Sequence, residues 1–302
     1  MTLAARVRAA EARLVAPGSA SDLAWVRTVL AVTIAFRLLI EPYRRFADQP
    51  DPLFFGAFAV RWLGSMPPAG VILVVQVVAV GAAVACVAQI APRRTFLVAW
   101  LGLLFLGGLR GSAGKILHND VLLLLACVPV LFAPMSARRG STATGAAYGW
   151  PRRGGLVVAS AVYCMTGVQK LRHSGIDWVL SKNQRWVLYN GAAEGKAPTD
   201  AVARFVADRA WIATAMGIAF LAFEVGAPLL ALWSRRSRWA FLVGSITLHT
   251  GIWVALGLHY WGWVLTVAAL VVPWGQLLGR PSAPPGPLAP VGEASNGQVA
   301  PN

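Results

Sequence analysis

Acidic residues are scarce in this 302-residue chain: Asp and Glu number 12 against 27 Lys and Arg, and charged residues make up only 13% of the whole. The few carboxylates do not pair at spacings that suggest a di-metal centre or the two-carboxylate arrangement of a glycosidase. Cysteine is rarer still. Cys86, Cys127 and Cys164 all fall inside apolar runs and form no CxxC or metal-like spacing, so they read as small buried hydrophobes and no metal site is expected. A Gly-rich phosphate loop, an HExxH pair and a GxSxG elbow are also missing, which argues against nucleotide hydrolysis and zinc proteolysis. Residues 1–21 carry three Arg but no sustained apolar core, so a cleavable signal peptide is not expected there and the first spanning helix serves as the membrane signal.

What is abundant is apolar surface. Hydrophobic residues reach 57% and the mean hydropathy is +0.60, the composition of an integral membrane protein. Thirteen Trp suit rings that settle at the two bilayer interfaces. The net charge of +15 comes from short Lys and Arg clusters between apolar runs, as orientation signals do. No basic face interleaved with aromatics suggests nucleic acid as a partner; membrane lipid is the expected one.

Apolar runs long enough to span predict an all-α polytopic helical bundle of about eight helices, within a range of six to eight. They fall at 22–41, 70–91, 95–110, 117–134, 154–172, 210–233, 238–258 and 260–277. Pro92, Pro134 and Pro151 are expected to punctuate helix ends. The domain reading is an N-terminal cytoplasmic segment at 1–21, one transmembrane domain at 22–277 and a disordered Pro-rich cytoplasmic tail at 278–302. The basic totals on the two sides are nearly equal, but the dense RR and RRSR clusters close to helix ends fall on one side, which predicts both termini inside. Lys115, His118, Lys170 and the 173–209 segment then face outward. Richness in Ala, Val, Arg and Gly suggests a bacterial cytoplasmic membrane.

Several polar groups stand where apolar helices should carry none. Tyr163, Gly167 and Lys170 fall at i, i+4 and i+7 and share a helix face. Lys170 is either a partly desolvated lysine suited to general-base work or a side chain snorkelling to the interface. In LHND, His118 beside Asn119 and Asp120 either serves a polar ligand or belongs to a helix cap, with Lys115 three residues before it. His249 lies deep in an apolar run and must face protein or a cavity. Glu224 has the same difficulty, and a structural ion pair with Arg27 or Arg37 of the first helix is expected. The 173–209 segment reads as an amphipathic surface helix anchored by Trp178 and Trp186, a candidate lid.

The ordered stretches GKILHNDVLLLL, VYCMTGVQKL with a following Trp178, AFEVGAPLLAL and LHTGIWVALGL resemble the horizontally transferred transmembrane (HTTM) domain, the membrane part of vitamin K-dependent gamma-carboxylases. The resemblance covers about residues 22–275. It implies that Lys170 is the base that deprotonates a reduced naphthoquinone such as menaquinone, and that His118 acts beside it. It also implies that His249 lines the quinol pocket; Tyr163, Lys115, Asn119 and Trp178 complete the expected ligand-binding set. Gln169 stands where the family has the first lysine of its Lys-Lys-Leu element, and Ser181 where it has a glycine after the tryptophan. A Pro-rich run follows residue 280 where carboxylases carry a large propeptide-binding portion, so carboxylation of protein glutamates is not expected. Two functions follow: a membrane quinol-binding protein with Lys-based redox or oxygenase chemistry, or a non-enzymatic membrane partner or maturation factor for a secreted peptide or protein.

Overall fold

The computed structural model describes residues 11–12, 14–113, 119–193, 198 and 200–278. Lys115, His118 and the tail beyond residue 278 lie outside the described residues. The architecture is all-α apart from a minimal ribbon, β1 (Gly18–Ser19) with β2 (Thr144–Gly145). The helices in chain order are α1 (Ala20–Ile40), α2 (Ala69–Val87), α3 (Pro92–Gly111), α4 (Val121–Leu131) and α5 (Ala146–Ser174). Three short ones follow, α6 (Asp177–Leu180), α7 (Asn183–Ala193) and α8 (Asp200–Asp208). The chain then forms α9 (Ala210–Leu232), α10 (Arg235–Leu256), α11 (Trp261–Val271) and α12 (Trp274–Leu278).

Each of the eight sequence-predicted runs holds a helix among the described residues, but five of the helices, α1, α2, α3, α9 and α10, are long and apolar enough to cross a membrane by themselves. At 11 residues each, α4 and α11 rise roughly 16 Å, well short of a hydrocarbon core of about 30 Å. Helix α5 has 29 residues but carries Arg152 and Arg153 near its start and Lys170, Arg172 and His173 near its end. The predicted final helix over 260–277 is interrupted at Val272 and Pro273, because proline can neither donate to the ladder nor fit behind the preceding turn. Pro151, by contrast, does not end a helix. It is the sixth residue of α5, past the first turn, and the helix runs on through it to Ser174 at the loss of its one backbone N–H bond.

Local chemistry sets the ends. Ser19 Oγ accepts from the Asp22 amide at 3.4 Å at the start of α1. Ser234 and Ser237 form a reciprocal capping box at the start of α10, which ends on Gly257 in the left-handed region. Pro92 opens α3, where its missing N–H would have had no helical partner. Asp120 occupies the N-cap position of α4 but makes no capping bond. Its carboxylate goes instead to Arg37, 2.7 Å away, and to Arg110, 3.6 Å away.

Helix α1 lies at the centre: 61% of its apolar window is buried, against 22% for α2 and α9. The outer helices leave Val74, Val77, Val78 and Leu229 exposed, surface that suits lipid rather than water. The β1–β2 ribbon clips the start of α1 to the start of α5, with Gly18 against Gly149; a side-chain carbon on either would meet the other's backbone.

Candidate functional site

Near its C-terminal end α5 runs against α9, and Gly167 permits the approach: a Cβ there would meet the side chains of Glu224 and Val225. One turn further on, Lys170 Nζ donates to both carboxylate oxygens of Glu224, at 2.6 and 2.7 Å. Glu224 is therefore in an ion pair, as expected, but its partner is Lys170 and neither Arg27 nor Arg37. The reason is packing, since α9 lies along α5 and turns Glu224 toward it. Arg37 pairs with Asp120 and Glu41, and Arg27, wholly buried, donates to the Ala137 carbonyl. The Lys170 ammonium also sits 4.5 Å from the centroid of the Trp178 ring, which attracts it electrostatically.

On the same face of α5, the Tyr163 hydroxyl lies 2.7 Å from Ser245 Oγ and 2.7 Å from His249 Nε2, the two α10 groups being one turn apart. The Tyr163 ring is held edge-on by Phe223, Phe241 and Trp263 at centroid distances of 5.6, 5.4 and 5.1 Å. The His249 ring stacks on Tyr260 at 5.5 Å. His249 is 4% exposed, and its Nδ1 has no hydrogen-bond partner among the described residues. Whichever way the proton lies between Tyr163 and Nε2, Nδ1 has one bond to offer: as donor if tyrosine donates to Nε2, as acceptor if Nε2–H donates to tyrosine.

These groups line one cavity of about 280 Å³ between α5, α7, α9, α10 and the connection into α11. Of the expected site residues, Lys170, Tyr163, His249 and Trp178 meet there; Lys115 and His118 lie outside the described residues. Asn119 is not part of the lining. Its side-chain amide donates to the His259 carbonyl at 3.1 Å and its own carbonyl accepts from the Trp263 indole at 2.9 Å, so it ties the start of α4 to the connection before α11. The expected single amphipathic helix over 173–209 is three short helices. A break at Ser181 and Lys182 separates the first two, and Trp178, Gln184 and Leu188 reach the cavity while Trp186 stays outside.

Sequence reasoning did not anticipate Tyr260, Gln184 or Glu224 as cavity residues, nor Ser245 as the second partner of the Tyr163 hydroxyl. Ser245 and His249 stand at i and i+4 on α10, a pairing that would have found the serine. The chemistry on hand is a neutralised Lys–Glu pair, a Tyr–His hydrogen bond with spare capacity, and apolar and aromatic walls. Among the described residues there is no group of three or more His, Cys, Asp or Glu that could hold a metal ion. No family model, curated protein or solved structure matches this chain.

Proposed function

We propose that this chain is a multi-pass protein of a bacterial cytoplasmic membrane, with both termini inside and related to the HTTM domain, that binds a quinol-type lipid-soluble ligand in the outward-facing cavity at Lys170. The observation that carries the reading is the meeting of a buried histidine with an unspent Nδ1 and an ion-paired lysine in one apolar cavity. At about 280 Å³ the cavity falls just below the usual size of small-molecule sites, roughly 300–1,000 Å³, and suits a compact ring head with its tail left in lipid. A quinol offers a hydroxyl donor and a quinone a carbonyl acceptor, and the two tautomers of His249 match one each.

Lys170 becomes a base by passing one proton to Glu224, which leaves a neutral pair. The free amine then takes the proton of the quinol hydroxyl, so that an ammonium stands beside the new quinolate and the first proton rests on Glu224. The test is oxygen consumption and quinone formation by purified protein supplied with reduced menaquinone. Lys170→Ala is expected to abolish turnover, and unchanged turnover in that variant ends the enzymatic reading.

One observation favours a second reading. Both oxygens of Glu224 are taken by Lys170, an arrangement that can hold a fold without doing chemistry, and Trp186 of α7 and Trp211 of α9 are exposed at 68% and 72%. A membrane partner or maturation factor for a secreted peptide or protein would use that surface. Its mark is a co-purifying partner that survives Lys170→Ala, with ligand binding but no turnover.

A further inference from the structure

A second pair of hollows lies at the other end of α5, where Arg153 precedes Lys170 by 17 residues, roughly 26 Å along the helix. A polar hollow of about 290 Å³ is lined by Arg152, Arg153, Arg235 and Arg238 together with Gly18 and Asp22. It adjoins an apolar groove of about 780 Å³ that runs past Val157, Pro228, Leu229, Leu232 and Trp233. Arg153, Leu156 and Arg238 line both, so one compartment continues into the other.

The charges in the polar hollow are not balanced from within. Arg152 pairs with Asp22 at 2.9 Å. Among the described residues Arg153 donates to the carbonyls of Leu14, Ala16 and Pro17, and Arg238 to that of Ala231. Among the described residues neither has a carboxylate partner, nor has Arg235, and the charge of Arg238 acts on both Arg152 and Arg153. Four guanidiniums thus face two carboxylates, Asp22 in the hollow and Glu11 in the groove. An anion with spare acceptor oxygens would answer that excess, because guanidinium forks match phosphate geometry.

The groove identifies the anion's carrier. A small free ion needs only the polar hollow, whereas the groove offers an apolar wall open at its side, with Leu229 65% and Trp233 74% exposed. An exposed leucine on a spanning-length helix faces acyl chains, and an exposed Trp at the helix end marks the headgroup level. We infer that an anionic phospholipid binds here, its phosphate in the arginine hollow and an acyl chain along α9. The site is independent of the quinol cavity.

Full-length protein in neutral detergent would be titrated with phosphatidylglycerol and with phosphatidylcholine, bound lipid being counted by native mass spectrometry. The expected result is a preference for phosphatidylglycerol of roughly tenfold or more, removed by Arg235→Gln with Arg238→Gln and untouched by Lys170→Ala. Leu229→Trp, which fills the groove without altering charge, should weaken phosphatidylglycerol and leave inorganic phosphate without effect as a competitor. Equal affinity for the two lipids overturns the inference, as does indifference to the arginine substitutions. Displacement by inorganic phosphate with Leu229→Trp silent would assign the hollow to a small anion instead. Should the arginine variant not fold, Leu229→Trp decides the matter alone.

Discussion

Two ionic clusters, similar in ingredients, differ in closure. Arg37, Glu41, Arg110 and Asp120 form a ring in which each carboxylate meets both guanidiniums, at 2.7 to 3.6 Å, with every member little exposed. Tyr43 packs against it, buried, and burial foremost, helped by the charge of Asp120, pushes its hydroxyl's ionisation up so that it stays protonated. Lys170 and Glu224 are a single pair, and the lysine side chain remains 26% exposed on a cavity. The ring gives every ion two counter-charges and locks α1, α3 and the start of α4 together. The pair keeps one side open. Buried charge is compatible with either role, and what separates them is how many counter-charges each ion meets and how far it stays exposed.

The largest effect expected from this contrast is in the ring. Asp120→Ala leaves Arg37 buried without its nearest counter-charge and should cost about 3–5 kcal/mol, read as a lowered thermal midpoint in detergent. Quinol affinity of the protein that remains folded should not change; a loss of affinity at full stability would erase the distinction between the clusters. Gly167→Val comes next. The added side chain pushes α9 off α5 at the level of Glu224, costing about 1–3 kcal/mol and lowering midpoint and affinity together.

Smaller again is Tyr163→Phe, which removes the hydroxyl shared by Ser245 and His249. It should cost about 1–2 kcal/mol in stability, and by isothermal titration the quinol should bind roughly tenfold more weakly, since His249 then settles without its orienting partner. Trp178→Leu is the mildest. Losing the ring over the lysine should cost roughly 0.5–1 kcal/mol, seen as a small drop in affinity with the midpoint nearly unmoved.

The helices were legible because each is a long apolar run bounded by Pro, Gly or charge, and because Tyr163, Gly167 and Lys170 repeat at helical spacing. What could not be read was which helix faces which. Glu224 and Lys170 are 54 residues apart, and Arg37 and Asp120 are 83 apart. Such pairings depend on the rotation and height of neighbouring helices, which a one-dimensional pattern does not carry. Hence Glu224 was rightly expected in an ion pair but matched to the wrong cations. Asp120 shows a related limit: its N-cap position was readable, yet two buried guanidiniums outcompeted the backbone N–H groups for its carboxylate. Asn119 looked like a ligand group because it is polar at the membrane boundary, and it spends that polarity on fastening two connections.

The central claim is that the ligand sits between α5, α9 and α10 at the open ion pair. It is tested most directly by a photoreactive naphthoquinone analogue, cross-linked to full-length protein in membranes and located by peptide mass spectrometry. The account predicts adducts on the segments bearing Tyr163, Met216, Phe220 and His249, suppressed by excess menaquinone and reduced in Lys170→Ala. Adducts confined to other surfaces, or labelling that excess menaquinone does not suppress, would contradict it.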